Sequence, residues 1–266
     1  MSELEILVNE DESIYQEDFN ENIYLEEDIE NLKNLKETCQ RFLLVNDFEL
    51  KEPEFQDFTE DEFLGYLEKN TNQNIIELFS KLNIQVNIRN SMSQVYNHKT
   101  TNTKIFIYFL SSNIKTRSVG IDVIKDFLKL TLLLDCNEGV IISDLKMTSR
   151  SNERIDTANI KGFTGEGIYH IISYNDDDFI DLTNHSLTPK VLKIYRNEEA
   201  DKLCEETKVE AKTLPKINIT DPVCKFYRAK VGDIIKTKIL TGTQDTLLDE
   251  QIHYRRVVYG IQKSKK

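Results

Sequence analysis

The sequence contains no tryptophan, four prolines, nine glycines and four cysteines among its 266 residues. No two cysteines form a CxxC pair, so a structural zinc site, which needs paired thiolates at short spacing, is not expected. No apolar run approaches the roughly 20 residues of a membrane span, and the first residues lack the basic and apolar regions of a secretory signal. We therefore expect a protein that works inside a cell, with no disulfide framework, metal or cofactor.

Charge is distributed unevenly along the chain. Residues 1–62 hold 21 of the 46 acidic residues and 4 of the 34 basic ones, which leaves 25 acidic and 30 basic residues in the remainder. Residues 1–27 are acidic without a firm hydrophobic period, which predicts a flexible tail. An acidic arm on a mildly basic body is typical of a protein beside nucleic acid in a larger complex. A solvated face is the simpler alternative.

Hydrophobic periodicity predicts an α/β domain over residues 28–165, followed by a connecting segment at 166–180. Three- and four-residue steps from Ile29 predict a helix, and Thr59 with Glu62 predicts a capping box at the start of another. The remaining predicted elements are helices at 75–82 and 120–134 and strands at 84–88, 104–110, 140–142, 169–174 and 179–182.

Residues 181–266 form a second predicted domain, of the α+β class. A helix is expected at 197–207, and Asp221-Pro222 predicts the start of another, because aspartate caps free amides and proline needs no amide partner there. Strands at 234–240 and 252–258 are predicted to pair across a long polar loop.

Several collinear motifs in this second domain resemble the fifth, or H-type, subunit of eukaryotic and archaeal RNA polymerases. Their order and spacing, over about 75 residues, are more specific than any single one. The motifs are His185-Ser186-Leu187-Thr188-Pro189-Lys190, Leu214-Pro215-Lys216-Ile217, Asp221-Pro222-Val223 with Phe226, Gly232-Asp233-Ile234-Ile235-Lys236, and Tyr254-Arg255.

A fainter resemblance extends N-terminally, to the family's jaw domain, a restriction-endonuclease-like α/β fold without nuclease activity. Together the two parts of the resemblance cover most of residues 28–258. The resemblance implies a non-catalytic subunit of a DNA-directed RNA polymerase, which docks on the largest subunit and supports the lower jaw around downstream double-stranded DNA. It also implies a nuclear location in a cell; the many asparagines suggest a large DNA virus instead, with the protein in the virion or host cytoplasm. The candidate interface residues are His185, Leu187, Pro189, Leu214, Pro215, Asp221, Pro222, Gly232, Tyr254 and Arg255.

The sequence also departs from the family pattern. Arg228 stands where the family has a glycine at the end of the helix opened by Asp221-Pro222, and Val231 replaces a basic residue. Val191 and Asn197 replace a histidine and an acidic residue, and the loop at 241–250 is about four residues longer. These changes affect the region that the resemblance assigns to subunit contacts.

Contact with DNA in this interpretation requires sequence-neutral binding of phosphates by basic side chains. Each candidate taken alone is more simply a solvated charge, and His185 is more simply a satisfied or interface histidine than a catalytic one. The candidates, expected in or near loops, are Lys115, Arg117, Lys146, Arg150 and Arg154.

Two alternatives belong to other functional classes. Asp135 followed by Asp144 and Lys146 imitates the D…DxK pattern of Mg²⁺-dependent nucleases, in which two carboxylates hold the metal and a lysine steadies the attacking water. The other alternative is an acidic adaptor that recruits a basic partner through residues 1–27. Both explain less of the chain than the polymerase resemblance does.

Overall fold

The computed structural model describes residues 29–111, 118–136, 138–161, 170–183, 188–241 and 249–260. These residues form two four-stranded sheets with helices around them. The predicted tail at 1–27 lies outside the described residues.

Within the described residues, the first unit contains six α-helices and four strands. Seven of these ten elements confirm the predicted helices and strands closely, and Thr59 and Glu62 form the expected capping box. In chain order the elements are α1 (Ile29–Val45), α2 (Glu60–Asn70), α3 (Gln73–Lys81), α4 (Ile88–Ser91), β1 (Gln94–Asn97), β2 (Lys104–Leu110), α5 (Ile121–Leu133), β3 (Glu138–Ser143), α6 (Ser149–Lys161) and β4 (His170–Asn175).

The first sheet has the strand order β1-β2-β3-β4, with β1 antiparallel to β2 and with β2, β3 and β4 parallel. Alternate residues of β2 point to opposite faces, where Ile107 joins a core with α1 and α2, and Phe106 joins a core with α3, α5 and α6. Helices thus cover both faces of the sheet. This double burial explains why β2 is a continuous apolar run in the sequence.

The structure corrects several predictions in the first unit. Residues 84–87 are irregular and residue 88 begins α4, because Asn87 caps that helix by accepting a hydrogen bond from the amide of Asn90. Residues 179–182 are also irregular; Phe179 and Leu182 are buried through packing and not through strand pairing. Strand β1 and helix α6 were not predicted. Strand β4 pairs with β3, so the first sheet extends into the stretch predicted as a connecting segment.

The second unit is built on the sheet β5-β7-β8-β6, in which β7 and β8 form the expected antiparallel pair. Helix α8 lies at the predicted position, while the flanking strands β5 and β6 were not predicted from the sequence. A small core contains Ile217, Cys224, Ala229, Ile235 and Val257. The elements are β5 (Lys190–Tyr195), α7 (Glu198–Thr207), β6 (Lys216–Asn218), α8 (Pro222–Phe226), β7 (Ile234–Thr241) and β8 (Asp249–Val258).

The two units share part of their hydrophobic core. Phe226, at the end of α8, contacts Phe42 of α1 edge-to-face with 5.7 Å between ring centroids. Phe226 is fully buried with the first unit's core residues. The side-chain amide of Asn46 also donates a hydrogen bond to the Phe226 carbonyl oxygen at 2.9 Å. The second unit is therefore packed against the first through α8.

Three of the four cysteines are buried and the fourth, Cys204, is half-buried. Burial raises the pKa of the Cys39 thiol to about 12, so this group is a protonated core residue. Across the described parts of the chain, no helix is both long and apolar enough to span a membrane.

Candidate subunit-docking site

The motif residues around α8 determine the local fold of the second unit. Asp221 caps α8 by accepting a hydrogen bond from the Val223 amide at 3.0 Å, and Pro222 occupies the first helical turn. Gly232 has a φ of 101°, a conformation that a residue with a Cβ rarely adopts, and its amide donates to the Val257 carbonyl at 3.0 Å. These three interface candidates therefore have structural roles of their own.

The other described candidates lie along the edges and strands of the second sheet. The carbonyl oxygen of Pro215 accepts a hydrogen bond from the Arg256 amide at 2.8 Å, which ties the Leu214-Pro215 motif to β8. Pro215 is exposed and Leu214 half-buried, and Pro189 is half-buried directly before β5. Tyr254 and Arg255 are half-buried neighbours on β8, so their side chains point to opposite faces of the sheet. His185 and Leu187 lie outside the described residues.

Arg228 connects the two units with a buried ion pair. Its guanidinium pairs with Glu138 at the start of β3, donates toward Nδ1 of His170 at 3.2 Å, and lies 5.2 Å from the ring centre of Phe48. The Arg228 and Glu138 side chains are 9% and 16% exposed, so water screens this pair weakly. Arg228 also has a φ of 51°, the left-handed conformation that glycine adopts most easily.

The same contacts set the protonation of His170. Burial and the neighbouring positive charge of Arg228 lower the pKa of His170 to about 3. Because a guanidinium can only donate hydrogen bonds, Nδ1 of His170 is the acceptor, which requires a neutral ring with its proton on Nε2. Glu138 and His170 are neighbours across β3 and β4, and together they bind the guanidinium of Arg228.

Lys225 makes a second connection from α8 to the first sheet. Its ammonium group donates to the Ser173 carbonyl at 2.7 Å and lies 4.5 Å from the ring centre of Tyr174. Burial lowers the pKa of Lys225. With Arg228, this lysine binds one short helix of the second unit to two strands of the first.

Three of the DNA candidates fall within the described residues. Lys146 is exposed in the loop that follows β3, and Arg150 is exposed on α6. Arg150 is the second residue of α6 and lies near the loop that holds Lys146, whereas Arg154 lies further along that helix and not in a loop. Arg154 is half-buried on that helix. Lys115 and Arg117 lie outside the described residues.

The structure does not form the predicted D…DxK site. Asp135 precedes β3 and pairs with Lys104 at 2.9 Å, whereas Asp144 follows the opposite end of that strand. The six residues of β3 separate them by roughly 20 Å at about 3.3 Å per residue, too far to share one Mg²⁺ ion. Among the residues described, no group of three or more histidine, cysteine or acidic side chains could hold a metal.

Two features of the structure were not predicted from the sequence. The first is the joint between units, which carried one signal: an arginine at a position where the resemblance implies glycine. The second is a row of lysines on β5 and β7, which was missed because β5 was not recognised as a strand. Their positions become adjacent only once the strand order is known.

The fold and the site define an assembly subunit, in which a large α/β unit is locked to a small α+β unit whose motif residues fix turns and caps. The family described as RNA polymerase Rpb5, C-terminal domain, matches residues 180–257. DNA-directed RNA polymerase subunit Rpo5 of Methanothrix thermoacetophila is 44% identical over 77 residues, 29% of this chain and 92% of the relative. Its counterpart in Sulfolobus acidocaldarius is 41% identical over 81 residues, 30% of this chain and 90% of the relative.

A eukaryotic relative extends the similarity toward the first unit. The Dictyostelium discoideum protein named DNA-directed RNA polymerases I, II, and III subunit rpabc1 is 23% identical over 133 residues, 50% of this chain and 62% of the relative. The chain belongs to the family of fifth RNA polymerase subunits. It is a non-catalytic, structural member of a transcription complex, as the resemblance in the sequence predicted.

Proposed function

We propose that this subunit docks through its second unit on the largest subunit of a DNA-directed RNA polymerase, and that its first unit supports the lower jaw beside downstream DNA. The observation that best supports this proposal is the family match at 180–257, which coincides with a folded unit whose described motif residues cap α8, form turns and lie along the second sheet. The exposed motif residue Pro215 and the half-buried Leu214 and Tyr254 are the contacts we assign to the partner. Aromatic and apolar anchors of this kind often dominate binding energy.

We assign to the first unit a structural role, as a rigid support, and not a catalytic one. Its three parallel strands are covered by helices on both faces, and its joint with the second unit is buried. A jaw domain beside DNA needs a fixed orientation relative to the unit that docks on the polymerase. A shared hydrophobic core fixes that orientation better than a flexible linker does. We assign to this unit the restriction-endonuclease-like jaw fold, without nuclease activity.

Contact with the downstream duplex is assigned to the exposed end of the first unit near α6. Lys146 and Arg150 are both exposed there, and the loop that holds Lys146 leads directly into the helix that holds Arg150. Binding to phosphates would be independent of sequence and would weaken steeply as salt increases. In a eukaryotic cell this function places the protein in the nucleus.

Affinity purification followed by mass spectrometry tests the docking proposal. Tagged full-length chain should co-purify with the two largest polymerase subunits, and Leu214→Asp combined with Tyr254→Ala should reduce their recovery at least about tenfold, as hot-spot losses do. Leu132→Asp, an exposed leucine on α5 of the first unit, is the matched control and should recover both subunits fully. Equal recovery with all variants, or no polymerase subunit with the wild-type chain, would contradict the proposal.

The DNA contact is tested separately, within the assembled polymerase. Replacing Lys146 and Arg150 with glutamate should leave assembly intact and lower the slope of binding affinity against salt concentration. The matched control is the charge reversal of Lys69 and Lys81, two exposed lysines on α2 and α3. An unchanged salt slope would remove these two residues from the proposed DNA contact.

A further inference from the structure

One face of the second sheet carries an unusual arrangement of like charges. Residues directly opposite each other on antiparallel strands have their side chains on the same face. Lys190 of β5 lies opposite Lys238 of β7, and Lys193 lies opposite Lys236. A register shift between Val191 and Lys193 keeps Lys190 and Lys193 on the same face, so two neighbouring cross-strand pairs place lysine beside lysine. This lysine face is completed by β8 and consists of Lys190, Lys193, Lys236, Lys238, Ile252 and Tyr254.

Like charges placed directly opposite each other destabilise a sheet. Carboxylates offset part of this repulsion, since Glu199 pairs with Lys193 at 3.2 Å and Glu250 pairs with Lys238. Within the described residues, Lys190 and Lys236 have no ion pair. A face that retains uncompensated repulsion is suited to an anionic occupant, whose binding would remove the cost.

Aromatic and apolar groups lie between these charges. The ammonium group of Lys236 lies 5.6 Å from the ring centre of Tyr254, and that of Lys193 lies 4.7 Å from the ring centre of Tyr195. Ile252 is 45% exposed beside them. The face therefore offers apolar contact as well as positive charge, which fits a peptide with both acidic and apolar side chains better than a simple anion.

We propose that the lysine face binds the acidic segment at residues 1–28 of the same chain. This segment contains 11 acidic residues and no basic one, together with apolar residues such as Leu7, Tyr15 and Phe19. It is joined to α1, so its local concentration at the face is in the millimolar range without any partner. Its 28 residues can extend roughly 90 Å at about 3.3 Å per residue, more than enough to reach across the molecule.

In this arrangement the acidic segment competes with other anionic ligands for the lysine face. With the segment bound, the lysine face is neutralised and nucleic acid is kept from it; with the segment displaced, four lysines and Tyr254 become available. The inference concerns the isolated full-length chain and is independent of docking on a polymerase. One additional consequence rests on the proposed function: Tyr254 is also a proposed partner contact, so assembly with the largest subunit would displace the segment.

Zero-length carbodiimide cross-linking of the full-length chain tests the contact directly. Carboxylates of the segment, such as Glu12 and Glu17, should link to Lys190 and Lys236 at low ionic strength. The links should disappear near 1 M salt, where the screening length is about 3 Å. Lys69 and Lys99, exposed lysines of the first unit without an ion pair in the described residues, are the matched controls.

An equal mixture of isotopically heavy and light chains separates binding within one chain from binding between copies. Links confined to heavy–heavy and light–light pairs support the proposal. Heavy–light pairs in the statistical proportion would overturn it in favour of a second copy. Links spread evenly over Lys69, Lys99 and the lysine face would also overturn it, because they would show no preferred site.

A second measurement uses a fluorescent oligothymidine as the probe. Neutralising the segment with Glu10→Gln, Asp11→Asn, Glu12→Gln, Glu17→Gln and Asp18→Asn should tighten oligonucleotide binding by roughly tenfold. Adding Lys190→Glu and Lys236→Glu should abolish that gain, whereas adding Lys69→Glu and Lys99→Glu should leave most of it. An affinity unchanged by neutralisation, or a gain insensitive to the lysine-face substitutions, would show that the segment does not cover this face.

Discussion

Replacement of Arg228 is the sharpest test of how the two units are held together. Removing one partner of a buried ion pair costs about 3 to 5 kcal/mol, because the other charge, Glu138, is left buried without compensation. Arg228→Gly also relieves the left-handed backbone, which costs a residue with a Cβ about 1 kcal/mol. The expected loss in the free energy of unfolding is therefore about 3 kcal/mol for glycine and about 4 kcal/mol for alanine.

Urea denaturation followed by circular dichroism measures these losses. The double variant with Glu138→Gln should be more stable than the sum of the two single losses predicts, since the residues act as a pair. Lys104→Ala, which breaks an exposed ion pair with Asp135 beside the same sheet, is the control and should leave the transition midpoint unchanged. Wild-type stability in Arg228→Gly, or strict additivity in the double variant, would refute the ion pair's role in the joint.

Three further predictions concern single positions. Burial and Arg228 lower the pKa of His170 to about 3 in the folded chain, so as the pH falls the unfolded chain binds this proton first. The free energy of unfolding should therefore fall by about 1.4 kcal/mol per pH unit below pH 6.5. His170→Gln should lose this dependence, which urea titrations at pH 6.5 and 5 would measure. Gly139→Ala should lower the melting temperature, since its Cβ would lie 2.6 Å from Cζ of Phe127 in the core; calorimetry should show a loss of about 1 to 3 kcal/mol. Asp221→Ala should cost about 1 kcal/mol through the lost cap of α8, whereas Asp221→Asn, which keeps an oxygen acceptor, should lose much less in the same assay.

Strong local signals allowed much of the first unit to be predicted from the sequence. The helix from Ile29, the capping box at Thr59 and the apolar run of β2 each depend on near neighbours in the chain. Short elements were missed, because β1 and β6 contain four and three residues and carry no full hydrophobic period. The alternating residues 84–88 gave a false strand, since alternation reports burial and not pairing.

The candidate site also contains some features that the sequence predicts and others that it does not. Asp221-Pro222 and Gly232 were recognised because cap and turn chemistry is local. The Arg228 joint depends on residues separated by 90 positions from Glu138 and by 58 from His170, and no short-range pattern can indicate such contacts. The lysine face likewise required the order of β5, β7 and β8.

The burial of Phe226 among aromatic residues of the first unit restricts how this chain can be divided. In the Methanothrix thermoacetophila relative, 77 aligned residues account for 92% of the protein, so a second unit of this type exists there almost alone. Here an excised fragment of residues 180–260 would present a bare phenylalanine and an arginine without its acidic partner to solvent. Truncation of this chain to its second unit is therefore expected to give a less stable fragment, because Phe226 and Arg228 lose their contacts with the first unit.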